Sequence, residues 1–181
     1  IDASAGPQAP CRAARAALDL VCGRDVACAA AGPGTASARL GQLLDVVRRR
    51  PITGQTRDAD GSKVRTKVDP RAVVDLVQDA GSDPVIYREL DASVRAALAG
   101  DAAPLLRLAA QAHTWSHSPS SADYFSNGLY LAVACADYPQ LFAMTASPAD
   151  RRSQLAASLP GAPAADFAPF TLNEWLSVSA Y

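Results

Sequence analysis

Aromatic residues make up only 6% of this chain, methionine occurs once, and no Gly-x-Ser-x-Gly turn occurs anywhere. With few rings to fill it, a core must be built from aliphatic side chains. The hydrophobic fraction is 49%, much of it alanine, the best helix former and a poor core filler. Closely packed helices around a modest core are therefore expected. The missing glycine-serine turn excludes a nucleophile elbow. An excess of either charge is also absent: 17 basic residues face 18 acidic ones, for a net charge of -1. That balance gives no electrostatic reason to bind nucleic acid or an anionic membrane. No stretch approaches the roughly 20 continuous apolar residues that a membrane span needs. No leader segment is recognisable. The chain opens on Ile1 rather than Met, as a segment with something before it would.

What is present starts with four cysteines, Cys11, Cys22, Cys28 and Cys135. An even number suits an exported protein with two disulfides. Zinc is the rival, but the Cys22 to Cys28 spacing is wider than that of a structural zinc pair. His113 and His117 are one helical turn apart, yet Ser118-Pro119 follows and the helix is expected to end near His113. No metal and no cofactor are expected.

Helical periodicity runs through most of the chain. Cys11 to Cys22 reads as a helix broken by Gly23, and Arg24 to Ala31 as a short second one. Thr35 is placed to cap a helix reaching Arg49, with Leu40, Leu43, Leu44 and Val47 as its stripe. The run Arg48-Arg49-Arg50 reads as its solvated C-terminus. A hairpin is expected at about 52-68, because Asp58-Ala59-Asp60-Gly61 separates two extended runs. Asp69-Pro70 and Asp83-Pro84 each open a helix with a cap and a proline. Val73, Val74 and Val77 line the first, and Val85, Leu90, Val94 and Leu98 the second. Asp101 caps a further helix. Tyr124 to Cys135 is an apolar helix, Ser147-Pro148 starts another, Pro160 to Pro169 reads as a loop, and Phe170 to Tyr181 reads as helical.

The segment from Tyr124 through Cys135, Asp137 and Pro139 resembles the "small-x-x-Ala-Ile-x-Cys-x-acid" stretch of exported tripeptidyl aminopeptidases and proline iminopeptidases. Other pieces are similar to that family in the same order: Gly81 to Leu90, the Gly100-Asp101 to Leu106 junction, the small hairpin, and Trp175 before the point of re-entry. The resemblance implies a mostly α cap (lid) domain with one small β-hairpin, residues 1-181, cut from an α/β-hydrolase. The family's Ser-His-Asp triad has no counterpart here, so neither His113, His117 nor any serine is expected to be catalytic. The expected role is to cover the active site of a serine hydrolase, the fragment itself being inactive. The partners implied are the hydrolase core of the same parent chain and a peptide substrate, in a secreted or cell-envelope protein.

Within that resemblance, Asp137 matches an acid able to hold the free amino group of a peptide. Tyr124 and Tyr130 are candidates to line the substrate cleft, with core packing as the rival reading. A local Cys22–Cys28 bridge is feasible, leaving Cys11 for Cys135, unless Cys135 pairs beyond this segment. A weak homodimer is expected, through a face bordered by the Trp175 helix and the Tyr124 to Cys135 helix, with Ile1 and Tyr181 close together on it. Two rivals stand beside the lid: a self-contained exported helical binding or structural domain, and the cap of a lipase or esterase.

Overall fold

The computed structural model describes residues 8–31, 34–81, 83–117, 126–137, 140–158 and 163–176. The fold is mostly helical with one antiparallel hairpin among the described residues. Two compact units divide the chain. The larger holds α1 (Gln8–Arg24), α2 (Val26–Ala29), α3 (Ala36–Arg49), β1 (Ile52–Arg57), β2 (Lys63–Val68), α4 (Pro70–Asp79), α5 (Pro84–Leu98) and α6 (Ala103–His117). The smaller holds α7 (Asn127–Asp137) and α8 (Pro148–Ser158), and the chain then rejoins the larger unit through α9 (Ala164–Phe167) and α10 (Leu172–Leu176). Ile1 and Tyr181 lie outside the described residues.

Helix starts follow the expected caps. Thr35 Oγ1 accepts from Ala38 N at 3.2 Å, Asp69 Oδ1 from Ala72 N at 3.1 Å and Asp83 Oδ1 from Val85 N at 2.9 Å. Each satisfies an N–H that the first helical turn leaves without a partner. Two boundaries differ from expectation. Gly23 does not break α1, which runs on to Arg24 before Asp25 caps α2. The helix expected to stop near His113 continues to His117, because the backbone restriction imposed by Pro119 acts only on the residue before it.

The hairpin pairs Ile52 with Val68 through Arg57 with Lys63. Its turn is closed by Asp58 N donating to Ser62 O at 3.1 Å, and Gly61 supplies the positive φ of +89°. Outward positions are exposed and inward ones partly or fully buried. The inward side rests on α6. At Gly54 the approach is so close that a Cβ there would lie 2.6 Å from Leu106 Cδ1.

The core of the larger unit is aliphatic, as the composition requires. Leu44, Val68, Val73, Val74 and Leu105 are fully shielded from solvent. Val85, expected on the inner face of α5, is instead exposed, since it sits in the first turn directly after Pro84. The stretch expected as a loop from Pro160 to Pro169 contains α9, which buries Phe167 completely. Trp175, expected to expose an apolar face, is only 4% exposed and stacks obliquely on Phe170 at 5.5 Å between ring centres. In the smaller unit, Ser147 Oγ accepts from Asp150 N at 3.2 Å and donates to Asp150 Oδ2 at 2.6 Å, which starts α8.

Replacing Gly54 by Val should lower stability by about 1–3 kcal/mol through overpacking against α6. The double variant with Leu106→Ala should lose less than the sum of the two single changes, because the smaller side chain makes room. Urea unfolding of the four proteins checks this; strict additivity would mean that the two positions do not meet.

Candidate functional site

The densest chemistry lies inside the larger unit, where α1, α2, α3 and α5 meet. Cys22 and Cys28 form a disulfide with Cα atoms 5.1 Å apart. This is the local bridge expected across the α1–α2 turn. Against it lies an ion pair: Arg39 Nε donates to Asp91 Oδ1 at 2.7 Å, both side chains being 7% exposed. Arg39 makes further contacts, with Nη1 donating to Gly34 O at 3.0 Å and Nη2 pointing at Cys22 Sγ at 3.2 Å. Asp91 Oδ2 accepts from Arg95 Nε at 2.9 Å and lies 2.9 Å from Cys28 Sγ. Asp19 on α1 completes the surroundings by accepting from Ser37 N and Ser37 Oγ, both at 2.8 Å.

Ligand-type atoms of Cys22, Cys28 and Asp91 lie within 4.8 Å of one another. The two sulfurs are bonded to each other, however, and a metal requires the free thiolate. The Arg39 guanidinium fills the adjacent space with a positive charge. The arrangement is therefore that of a buried polar cluster packed against a disulfide. Sequence reasoning passed over Arg39 and Asp91. A signal existed: Arg39 falls on the stripe defined by Ala36, Leu40 and Leu43, and Asp91 beside Leu90 and Val94.

Cys11 is a free, buried thiol whose Sγ donates to Phe167 O at 3.2 Å. Burial pushes its pKa up to about 11, against a smaller opposing effect of Arg15. The expected Cys11–Cys135 bridge is thus corrected: Cys11 is a free thiol that α1 turns towards α9, where the Phe167 carbonyl accepts its hydrogen bond.

Arg48 does not belong to a solvated basic tail, as was expected. Its Nε and Nη2 grip Glu174 at 2.8 and 2.7 Å, and Nη2 also donates to Pro169 O at 3.0 Å. Glu174 in turn accepts from Thr171 N at 2.8 Å while Thr171 Oγ1 accepts from Glu174 N at 3.2 Å, a reciprocal cap on α10. The hydrogen bond from Arg48 is the main reason that the Glu174 carboxyl titrates below its ordinary 4.5, with burial opposing and the Thr171 amide assisting.

The residues expected to meet substrate lie on or before α7. Tyr130 is 45% exposed. Position 137 ends the same helix, seven residues on and so on the same face. The side chains of Asp137 and Cys135, and all of Tyr124, lie outside the described residues. The exposed neighbours of Tyr130 are Leu129 at 66% and Val133 at 38%. A separate shallow groove of about 630 Å³ runs between the hairpin and the start of α6, lined by Arg57, Lys63, Asp101 and Arg107. Its charges are already used in part: Asp101 caps α6 and Arg107 donates to Glu89 at 2.6 Å.

Comparison with known proteins finds no matching family model, no matching curated protein and no matching solved structure.

Two outcomes are expected from this geometry. Arg39→Met should destabilise the larger unit by about 3–5 kcal/mol, since it strips a buried carboxylate of its nearest cation; thermal unfolding measures it, and a loss below 1 kcal/mol would mean that Asp91 is solvated. Glu174 has a depressed folded pKa, so its contribution is fully present above its ordinary 4.5 and is lost progressively as pH falls from there through the depressed folded value. Glu174→Gln should therefore cost about 0.5–1 kcal/mol at pH 7 and progressively less as pH falls below 4.5, which unfolding across the acid range would reveal.

Proposed function

We propose that this chain is the helical lid of a serine hydrolase similar to the exported tripeptidyl aminopeptidases and proline iminopeptidases. The observation that carries the reading is α7. Its sequence is almost wholly apolar, yet Leu129, Tyr130 and Val133 face solvent. An apolar helix left in water gains roughly 25 cal/mol per Å² when covered. The hydrolase core of the same parent chain would cover it. Support also comes from the mostly helical fold with one small hairpin among the described residues, and from a sequence without a nucleophile elbow.

In this role the chain contributes no bond-breaking group. It closes over the active site, removes water around the scissile amide and limits which substrates enter. The apolar wall of α7, with Tyr124 and Tyr130, would bound the cleft. Asp137 would hold the ammonium of the substrate's N-terminus, a charge-assisted contact that strengthens as water leaves. The Cys22–Cys28 disulfide fits an oxidising compartment, in keeping with a secreted or cell-envelope enzyme.

The chain alone should hydrolyse neither aminoacyl nor tripeptidyl amides nor short acyl esters. Turnover that a serine-directed inhibitor blocks in a highly purified sample would overturn the lid reading. The isolated chain should also form a weak homodimer through α7, and Leu129→Asp with Val133→Asp should make it monomeric in sedimentation across a concentration series. A chain that is monomeric at every concentration before the change would favour a self-contained helical domain. A lipase or esterase cap would instead be indicated if the parent enzyme cleaved acyl esters and ignored peptides.

A further inference from the structure

The two sulfurs of the buried disulfide have opposite surroundings. Cys22 Sγ faces a cation, with Arg39 Nη2 at 3.2 Å, while the same nitrogen is 3.6 Å from Cys28 Sγ. Cys28 Sγ faces an anion, with Asp91 Oδ2 at 2.9 Å. Both cysteines are 8% exposed, so burial does not distinguish them. The charged groups packed around the pair are Arg39 from α3, Asp91 and Arg95 from α5, Asp19 from α1 through Ser37, and Asp25, which accepts from Cys28 N at 2.7 Å. Arg39 is held in place by Gly34 O and Asp91, independently of the sulfurs.

We propose that this cluster is a polarised thiol–disulfide exchange site, in which Cys22 is the sulfur that exchanges with small thiols and disulfides, and Cys28 is the resolving thiol. The assignment is independent of the lid reading. In the reduced pair, the Arg39 guanidinium stabilises a thiolate on Cys22, whereas the Asp91 carboxylate favours a protonated Cys28 that donates to it. Oxidation by a small disulfide R–S–S–R then takes two steps. The Cys22 thiolate attacks one sulfur of the reagent, forming Cys22–S–S–R and expelling RS⁻. Cys28 gives its proton to Asp91, its sulfur attacks Cys22 Sγ, the Cys22–Cys28 bond forms as the Cys22–SR bond breaks, and the second RS⁻ leaves with that proton, restoring the Asp91 carboxylate; the first RS⁻ takes up the proton that solvent received from Cys22. Protein dithiol and one small disulfide become protein disulfide and two small thiols. Reduction runs the same path backwards, and an incoming anionic thiolate is drawn to the sulfur beside the guanidinium.

The test reduces the whole chain with a phosphine, removes it, and follows iodoacetamide labelling of each cysteine by peptide mass spectrometry between pH 5.5 and 9. Cys22 should be labelled about tenfold faster than Cys28 at pH 6.5, the difference closing as pH rises. Cys11, buried and with its pKa raised to about 11, should be slower than Cys22 throughout and serves as an internal reference. Oxidised glutathione should give a mixed disulfide on Cys22 in the Cys28→Ser chain at least about tenfold faster than on Cys28 in the Cys22→Ser chain. Arg39→Gln should abolish the preference. Equal labelling of the two cysteines in the wild-type chain at pH 6.5, or faster labelling of Cys28, would overturn the proposal even if the Arg39 variant fails to fold. A preference that survives in a folded Arg39→Gln chain would overturn the role of the guanidinium.

Discussion

The buried pair of Arg39 and Asp91 is the contact on which the larger unit's arrangement depends. Taking two charges out of water costs several kcal/mol per ion, and their attraction offsets this only with near-complete hydrogen bonding. Here that condition is met. Arg39 reaches Asp91, Gly34 O and Cys22 Sγ, and Asp91 also receives Arg95. Those contacts come from α5, the α3 entry and α1. A slip of any one helix by a turn would leave a bare charge in the core. Such a pair is weak evidence for stability in itself.

Much of the larger unit could be read from sequence because its signals are local. A threonine or aspartate cap touches an amide two or three residues away, and the Asp-Gly turn needs only its own backbone; both stand where the residues said. The errors arise where distant residues decide. Arg48 reads as a solvated helix end until Glu174, more than a hundred residues on, takes its guanidinium. Phe167 sits in a proline- and alanine-rich stretch that reads as a loop, and Trp175 in a stretch that reads as a helix with an outward apolar face, yet both are shielded by the elements they pack upon. Cys11 was assigned a partner by counting cysteines, whereas its thiol is occupied by the Phe167 carbonyl. The buried cluster was half legible: the short Cys22 to Cys28 loop pointed to a bridge. Arg39 and Asp91 show only as charges on otherwise apolar stripes, and their pairing needs the third dimension.

The smaller unit obeys a different constraint. Helix α7 has almost no polar face to turn to water, and three of its large side chains are exposed. A surface helix of a self-sufficient domain carries its charges outward. The contrast with α4, whose Val73, Val74 and Val77 are all buried while Arg71 and Asp75 meet on its polar side, is a contrast in how each helix is completed. Helix α4 is completed by its own unit. The composition of α7 calls for apolar cover, whereas in the groove beside the hairpin Arg57, Asp101 and Arg107 are already engaged.

The disulfide ties these two themes together. Closing a loop between residues only six apart constrains the unfolded chain modestly, by about 2 kcal/mol in the chain-entropy account. Its structural effect is more local. Helix α2 has four residues, far too few to persist alone. It is held by Asp25 at its start and by Cys28 in its middle, and Cys28 is its only buried residue, with Val26 85% exposed. Breaking the S–S bond removes the covalent tie and leaves the Asp25 cap and the contact of Cys28 with Asp91 to hold α2. A covalent closure therefore sits directly against the central ion pair, and it fastens α2 to α1 at the one point where α2 is buried.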